Sequence, residues 1–358
     1  MIKLWQKDLA LSLIKFFLSF FLGIYLIFCC IDLSTNGVAY LLRNAKIGEF
    51  TLYYLQQLVH FLDLFLPLSF LLSTIVVLTQ KSTRQELTAL QMAGISKKKI
   101  ALPFYFFAAL LFFLSLVNYQ WILPKATIAM ENFQVKYAKH PERKKGNMLF
   151  SSLLPDGSKM VFTKKEDNLE DVYWIRSFDE IWHFTTLDIE KSLAFFADKY
   201  VRGEQGIVKE AFFSEYKLPF SPAFLKNISL PPQQRSLFSL AKQSLLQTFP
   251  SLREKASVLS HLHQKLSSSF LSFLILFALF PFCTNFERKK KIFLLFAMSL
   301  FFFVCFRMIT DAVMIFAENN AYSPSTLLWM PYLLSFFFLS FFYIPKREFE
   351  KVLCYEKK

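Results

Sequence analysis

Two ionisable residues, Arg307 and Asp311, stand four positions apart inside an apolar run at residues 292–317. Ionisable side chains inside a membrane usually face the interior of a bundle or a wet cavity. Arg307 could therefore bind a lipid phosphate there through charge-assisted hydrogen bonds. Alternatively, Arg307 forms an i, i+4 ion pair with Asp311 that merely makes the run tolerable in a membrane. The residues alone leave both interpretations open.

The chain carries none of the motifs that mark common catalytic and nucleotide-binding sites. Gly-x-x-x-x-Gly-Lys-Ser/Thr, Gly-x-Ser-x-Gly and His-Glu-x-x-His are absent, and the sequence has only 8 Gly. His261 and His263 would point to different faces of a helix, so they do not predict a shared metal site. No Cys pair has the spacing of a zinc site. We therefore expect no catalytic residue, metal or cofactor in this chain. If the protein does work against a gradient, the energy must come from a partner.

A short polar segment, RQELTALQMAGISKKK at residues 84–99, separates two apolar runs and predicts a helix from about Ser82 to Gly94. Ser82 or Thr83 would cap its N-terminus, and the acidic Glu86 would lie favourably in its first turn. Gly94 suits the left-handed residue that ends a helix, and the lysines that follow would anchor the chain to lipid headgroups.

The predicted helix has a narrow surface of mixed character. Leu87, Leu90 and Gln91 fall on one stripe at i, i+3 and i+4, and Ala93 and Gly94 keep its end slim. Such a surface fits the groove of another protein. An amphipathic helix that lies on the lipid surface has the same pattern, which by itself does not decide between the two.

The surrounding elements have the composition of a membrane protein. Of 358 residues, 54% are hydrophobic and 19% are charged, and 46 are Phe. A helix needs about 20 apolar residues to cross a bilayer, and the first such run is expected to be a retained span. The six predicted spans lie at about residues 9–31, 58–79, 100–123, 266–286, 292–317 and 326–345.

The distribution of Lys and Arg predicts the orientation of these spans. Short segments on one side hold most of them: Lys3, Lys7, Lys81, Arg84, Lys97, Lys98, Lys99, Arg288, Lys289, Lys290, Lys291, Lys346, Arg347, Lys351, Lys357 and Lys358. Short loops on the other side offer only Arg43 and Lys46. Both termini and residues 80–99 are therefore expected in the cytoplasm, and the long polar stretch outside. Much of the net charge of +14 belongs to this rim, which favours anionic membrane lipid rather than nucleic acid as its partner.

From about Met148 to Leu218 the sequence changes to short alternating segments that predict β-strands. Pro155-Asp156-Gly157-Ser158 lies between the first two, and Asp-Gly in this position is a strong hairpin signal. The candidate strands are MLFSSLL, KMVFTKK, DVYWIRSF, IWHFTTLDI, LAFFADKYV and GIVKEAFFSEY. Their short spacing predicts an antiparallel sandwich or jelly roll, whose open edge can accept a strand from another chain. Residues from about Ser236 to Lys265 then return to a helical pattern.

The segment QELTALQMAGIS strongly resembles the signature Glu-Leu/Met-x-x-Leu/Met-x-Ala-x-Gly-hydrophobic-Ser/Thr between spans two and three of the YjgP/YjgQ (LptF/LptG) family. Members of this family are the two transmembrane permease subunits of the lipopolysaccharide exporter. NYQWILP, HLHQKLSSSF and TLLWMP resemble its motifs at the end of span three, at the start of span four and in span six. The resemblance covers the whole chain.

The resemblance implies an α-helical membrane protein with six transmembrane helices and an all-β, jelly-roll-like periplasmic domain between helices three and four. Residues 1–124 would hold helices one to three, with a cytoplasmic coupling helix at about 82–95. Residues 125–262 would form the periplasmic domain with its helical return. Residues 263–358 would hold helices four to six and a cytoplasmic tail.

The resemblance also implies a function and partners. The chain would be a non-catalytic subunit in the inner membrane of a Gram-negative cell, driven by a cytoplasmic ABC ATPase dimer that binds ATP and Mg. It would pair with the paralogous permease subunit and pass lipopolysaccharide to single-span and bridging periplasmic jelly-roll proteins. The residues predicted to couple it to the ATPase are Arg84, Glu86, Leu87, Leu90, Gln91 and Gly94.

The sequence departs from the family pattern in three places. Lys265 stands where the family usually has Arg, and Ser268 or Ser269 near its usual Pro. The lysine-rich outer end of span one seen in some G-type members is not evident in CCIDLSTNGVAYLLRNAK. The choice between an F and a G subunit therefore stays open.

Charges near the outer ends of the spans are the candidate lipid contacts. Arg43 and Lys46 are predicted to contact anionic lipid sugars, and Arg307 a lipid phosphate. Asp32 and Asp63 would repel such a ligand, so we expect them to pair internally.

Two other functions fit parts of the pattern. A permease subunit of another ABC exporter, moving lipoprotein or peptide, would also carry a periplasmic domain but commonly has four spans. A polytopic enzyme that modifies a lipid or glycan would need acidic or His residues clustered at one membrane face, and the sequence offers no such cluster.

Overall fold

A computed structural model gives the structure of the chain. It describes residues 4–41, 46–137, 149–154, 156, 158–165, 168–203, 206–220, 222, 225, 232–246, 252–284, 292–319 and 322–340. The chain divides into two compact units. The membrane unit comprises Met1–Thr35, Leu58–Tyr119 and Leu262–Lys358, and the β unit comprises Asn36–Gln57 and Gln120–His261.

The described residues form helices before and after a block of strands. The helices are α1 (Leu4–Asp32), α2 (Val38–Leu41), α3 (Ile47–His60), α4 (Leu62–Thr83), α5 (Glu86–Met92), α6 (Lys97–Val117), α7 (Leu123–Lys136), α8 (Leu237–Leu246), α9 (Leu252–Ser269), α10 (Leu271–Thr284), α11 (Ile292–Glu318) and α12 (Pro324–Ser340). Short π-helical segments at Leu33–Gly37 and Asn118–Ile122 follow α1 and α6. The helical return predicted after the strands is confirmed by α8 and α9.

All six predicted spans fall on apolar helices. Stretches long and apolar enough to cross a membrane are Leu4–Gly37, Leu62–Thr83, Lys97–Gln134, Lys255–Cys283 and Phe293–Glu318. The sixth, α12, is a shorter apolar helix of 17 described residues. The second span begins about four residues later than predicted, because residues 58–60 belong to α3.

The core of the membrane unit is built around α4, which contacts α1, α6, α10 and α11. Its side chains Phe70, Ile75 and Leu78 are fully buried. Ser69 and Ser73 are buried on the same helix, and such small side chains let neighbouring helices approach closely. The position of α4 is therefore fixed by contacts along most of its length.

In the described part of the β unit, six strands form one antiparallel sheet. They are β1 (Leu149–Leu153), β2 (Lys159–Lys165), β3 (Asn168–Ile175), β4 (Glu180–Asp188), β5 (Leu193–Gly203) and β6 (Gly206–Lys217), and each pairs with its neighbours in sequence. The pairing of β1 with β2 confirms the hairpin predicted from Asp-Gly. Pro155 and Gly157 of that turn lie outside the described residues.

The alternation of buried and exposed residues is interrupted by one extra residue in each of three neighbouring strands. The three extra residues form a row across the sheet. The row consists of Asp171, Thr185 and Phe196, which lie next to one another in the pairing of β3, β4 and β5. Asp171 and Phe196 adopt left-handed φ angles of 54° and 53°. Irregularities of this kind bend strands and increase their twist. Leu218 and Phe220, which follow β6, pack against the buried face.

The predicted antiparallel all-β domain is confirmed. Its buried face is aromatic, with Trp174, Phe162 and Phe184 almost completely enclosed. The prediction pictured a sandwich or jelly roll, whereas the described strands follow one another in a single meander. A sheet bent along the row and covered by its own C-terminal segment can bury this face without a second sheet.

One segment groups differently from the sequence-based domain boundaries. Residues 36–57, placed with the first spans, cluster with the β unit. There α3 contacts α7, since the Tyr53 and Phe133 rings stack with centroids 4.6 Å apart. The Glu49 carboxylate also accepts hydrogen bonds from Lys136 Nζ at 2.8 Å and from the Tyr137 hydroxyl at 2.8 Å.

Candidate functional site

The short helix α5 begins later than the sequence predicts. The expected caps Ser82 and Thr83 do not start a new helix, because α4 continues through Thr83. Gln85 then adopts a left-handed φ of 59° and separates the two helices, so that Glu86 is the first residue of α5. The capping prediction was therefore wrong, and a single left-handed residue makes the turn instead.

The end of α5 is built as predicted. Gly94 has a left-handed φ of 79°. The N–H of Gly94 donates to the carbonyl of Gln91 and the N–H of Ile95 to that of Leu90, both at 3.0 Å. This pair of hydrogen bonds is the Schellman motif, which satisfies the last carbonyls of a helix.

The apolar stripe of α5 faces the helix bundle. Leu87 is only 2% exposed and belongs to the core of the membrane unit, and Leu90 packs against that core. The prediction that Leu87 lies on a partner-facing surface is therefore wrong: its side chain anchors α5 to the bundle. The exposed side of this segment presents Arg84, Gln85, Ala89, Met92, Ala93 and Gly94, while Glu86 and Gln91 are half-buried.

An ion cluster attaches α5 to the neighbouring helices. The ammonium group of Lys81 lies 2.6 Å from an Asp8 oxygen and 2.6 Å from a Glu86 oxygen. Lys81 is only 12% exposed, whereas Glu86 keeps 39% of its side chain accessible. Beside the cluster is a cavity of about 290 Å³, which is lined by Trp5, Asp8, Leu9, Lys81, Glu86, Leu87, Ala89 and Leu90. The sequence gives no sign that Lys81 and Asp8 form a pair, since they lie 73 positions apart.

A second ion cluster lies near the other end of α4. Arg307 Nη2 donates to Asp63 Oδ2 at 2.9 Å, and Arg307 Nε lies 3.7 Å from Asp311 Oδ1. The predicted i, i+4 pair is thus present, and Asp63 pairs internally as expected. Arg307 still exposes 23% of its side chain, so the ion pairs leave it partly accessible.

Residues of the three supporting motifs meet within the membrane unit. The Tyr119 hydroxyl and Ser268 Oγ are 2.9 Å apart, and Trp329 Nε1 donates to His263 Nδ1 at 3.4 Å. The Lys265 ammonium lies 6.0 Å from the centre of the Tyr119 ring. Tyr119 is buried among these groups. Spans three, four and six are therefore joined by polar contacts between residues that the sequence singled out separately.

The remaining predicted lipid contacts, Arg43 and Lys46, belong to neither ion cluster. Arg43 lies outside the described residues. Lys46 is exposed immediately before α3 in the β unit. Among the residues that the structure describes, no group of three or more His, Cys, Asp or Glu side chains is arranged to hold a metal ion.

Comparison with known proteins assigns the family. No curated protein matches the chain. The family model described as lipopolysaccharide export system permease LptF/LptG matches residues 9–345. The match includes the apolar helices, the short helix α5 and all six strands, and it favours this family over the other two functions considered. The chain therefore belongs to the LptF/LptG family of lipopolysaccharide export permeases.

Proposed function

We propose that the protein is the permease subunit of an ATP-driven exporter that extracts lipopolysaccharide from the inner membrane and passes it through its β unit toward the outer membrane. The observation that carries this proposal is the family match over residues 9–345. The exposed helix between the second and third spans supports the ATP-driven part, because it offers a surface to a partner on one side of the membrane. Both termini and α5 would be cytoplasmic, and the β unit periplasmic.

The partner at α5 is proposed to be a cytoplasmic ABC ATPase dimer that binds ATP and Mg. Met92 is 86% exposed, and Ala89 and Ala93 beside it are small, so the accessible side of α5 is narrow and partly apolar. A narrow apolar helix face suits a groove in another protein. Glu86 and Arg84 would add charge at the start of the helix, while Leu87 would hold the helix in place from behind.

The lipid contact is proposed at Arg307. A guanidinium group has five N–H donors in a planar fork that matches phosphate. Asp311 is 56% exposed and lies 3.7 Å from Arg307, so it is the weaker of the two carboxylate partners. A lipid phosphate could replace Asp311 while Asp63 stays bound. Arg43 and Lys46 remain proposed contacts for anionic sugars.

The β unit is proposed to join other periplasmic proteins. In the described sheet β1 and β6 are the edge strands, and β6 has 12 residues that are mostly exposed. An edge of this kind can pair with a strand of another chain. Single-span and bridging jelly-roll proteins would extend the sheet here, and the paralogous permease subunit would complete the membrane part.

Co-purification of the ATPase tests the role of α5. We expect Met92→Asp to lower the amount of ATPase that purifies with the full-length chain by about fivefold or more, because it places a charge in an apolar contact. Ser96→Asp is the matched control. It adds the same charge to an exposed residue four positions away and keeps a good N-cap for α6. Co-purification of Met92→Asp at the wild-type level would contradict a docking role for α5.

A further inference from the structure

Lys81 joins three helices of the membrane unit at one point. It lies near the C-terminal end of α4, and its ammonium group contacts Asp8 of α1 and Glu86 of α5, each at 2.6 Å. Lys81 itself is 12% exposed, which reduces screening by water. The two carboxylates are more exposed, at 60% for Asp8 and 39% for Glu86. One half-buried cation therefore holds two more accessible anions from different helices.

The surroundings of this bridge leave room for movement. The cavity of about 290 Å³ lies between side chains of α1, namely Trp5 and Leu9, and side chains of α5 that include Ala89 and Leu90. A cavity between two helices reduces the close packing that would otherwise transmit a displacement from one to the other. The ion bridge crosses the same region. A force on α5 would therefore reach α1 through Lys81.

The charges make the bridge dependent on this one residue. Without the ammonium group, Asp8 and Glu86 would be two like charges facing each other at short range, and they would repel. The bridge would then become a contact that pushes α5 away from α1.

We propose that Lys81 is a positioning residue that makes α1 move together with α5 when the partner ATPase displaces α5. This inference rests on the proposed function. It assigns to Lys81 and Asp8 the step between docking of the ATPase and rearrangement of the first span.

The experiment compares Lys81→Met with Lys81→Arg in the full-length chain, assembled with its partners in lipid vesicles that contain lipopolysaccharide. Methionine keeps much of the apolar stem without the charge, and arginine keeps the charge. The first measurement is the amount of lipopolysaccharide that cross-links to the β unit per ATP hydrolysed. The second is hydrogen exchange of the backbone amides in α5 and in the first turns of α1, measured on the permease alone in nanodiscs.

We expect Lys81→Met to lower lipopolysaccharide transfer per ATP about fivefold and to raise amide exchange in both α5 and the start of α1 by about tenfold. Lys81→Arg should restore both to within about twofold of wild type. Asp8→Asn should have a smaller effect of the same kind. Combining it with Lys81→Met should bring the exchange below that of Lys81→Met alone, because it removes the repulsion between Asp8 and Glu86.

Three results would overturn the inference. If Lys81→Met keeps wild-type lipopolysaccharide transfer per ATP and wild-type amide exchange, the ion bridge does not couple α5 to α1. Faster exchange in α5 but not in α1 would show that Lys81 holds α5 to α4 alone. Loss of ATPase co-purification in Lys81→Met would show that the lysine acts only by presenting Glu86.

If the wild-type complex shows no ATP-dependent transfer, the proposed function fails. In that case the exchange in α1 still decides whether Lys81 attaches α5 to α1.

Discussion

An ion cluster lies near each end of α4. The two clusters contain the same kinds of charged group but connect different helices. Near its N-terminal end, Asp63 pairs with Arg307 of α11, which also contacts Asp311 of its own helix. Near its C-terminal end, Lys81 pairs with Asp8 of α1 and Glu86 of α5. Each cluster has one cation and two carboxylates. The first joins two spans and the second joins two spans to a short helix.

The chemistry of the cations separates the two clusters. The contacts of Arg307 use Nη2 and Nε, and a guanidinium group has further N–H donors in the same plane. Lys81 has a compact ammonium group with two oxygens at 2.6 Å and a side chain that is only 12% exposed. The arginine cluster therefore suits exchange of an anionic ligand, whereas the lysine cluster suits permanent attachment.

Of the changes considered, replacement of Arg307 should have the largest effect, and it is measured on lipopolysaccharide binding. It tests directly whether a lipid phosphate can replace Asp311 at the guanidinium group. We expect Arg307→Ala to reduce photo-cross-linking to lipopolysaccharide about tenfold, because it removes the charge that would bind phosphate. Arg307→Lys should keep the yield within about twofold of wild type. Asp311→Asn, which leaves the arginine in place, is the control and should not lower the yield. Equal yields for the alanine and lysine variants would mean that Arg307 serves only its ion pairs.

Removal of one carboxylate from each cluster should affect stability unequally. Asp63→Asn should lower the free energy of unfolding by about 2 kcal/mol, since it breaks a partly buried charge-assisted hydrogen bond between two spans. Asp8→Asn should cost only about 0.5 kcal/mol, because Asp8 is 60% exposed and Lys81 keeps Glu86. Unfolding by denaturant in one detergent gives both values. Equal losses would remove the distinction between the two clusters.

A third ion pair, in the β unit, should have the smallest effect and extends the comparison to an exposed site. Hydrogen bonds from Lys136 and Tyr137 hold the pKa of Glu49 below its usual range. A lowered pKa adds stability above the pKa of the unfolded chain, and this contribution is lost as the pH falls through the folded value. Glu49→Gln should therefore destabilise the contact between α3 and α7 slightly at neutral pH and make no difference in acid. Thermal unfolding across that pH range measures the change.

The matched control for this last variant is Glu215→Gln, which alters an exposed glutamate on β6 outside the contact between α3 and α7. It should leave the pH profile unchanged. High salt should reduce the effect of Glu49→Gln further, because surface pairs are screened. A difference between wild type and Glu49→Gln that grows toward acid pH would contradict the assigned cause.

Local features of the fold were predictable because short stretches of sequence specify them. About 20 successive apolar residues are enough to indicate a span. By that rule five of the six predicted spans coincide with helices long enough to cross a membrane, and the sixth with the shorter apolar helix α12. Alternation with an Asp-Gly turn gave the first hairpin of the sheet. Gly94 was predicted as a left-handed helix end because glycine adopts that conformation without a steric penalty. The family signature in QELTALQMAGIS is equally local.

Two local predictions failed because another part of the chain competed. The stripe with Leu87 was correctly periodic, but periodicity gives a face and not the neighbour that covers it. In the structure the bundle covers that face. The caps at Ser82 and Thr83 were reasonable from residue type, yet α4 continues through both residues and ends only at Thr83.

The sequence by itself thus determined the spans, the strands and the family, because each depends on the pattern of residues that are close together in the sequence. The tertiary structure alone decided which charges meet. Lys81 and Asp8 are 73 positions apart, and Arg307 and Asp63 are 244 positions apart. The packing of whole helices around α4 determines which of these distant charges pair. The residues next to a charge in the sequence do not indicate its partner.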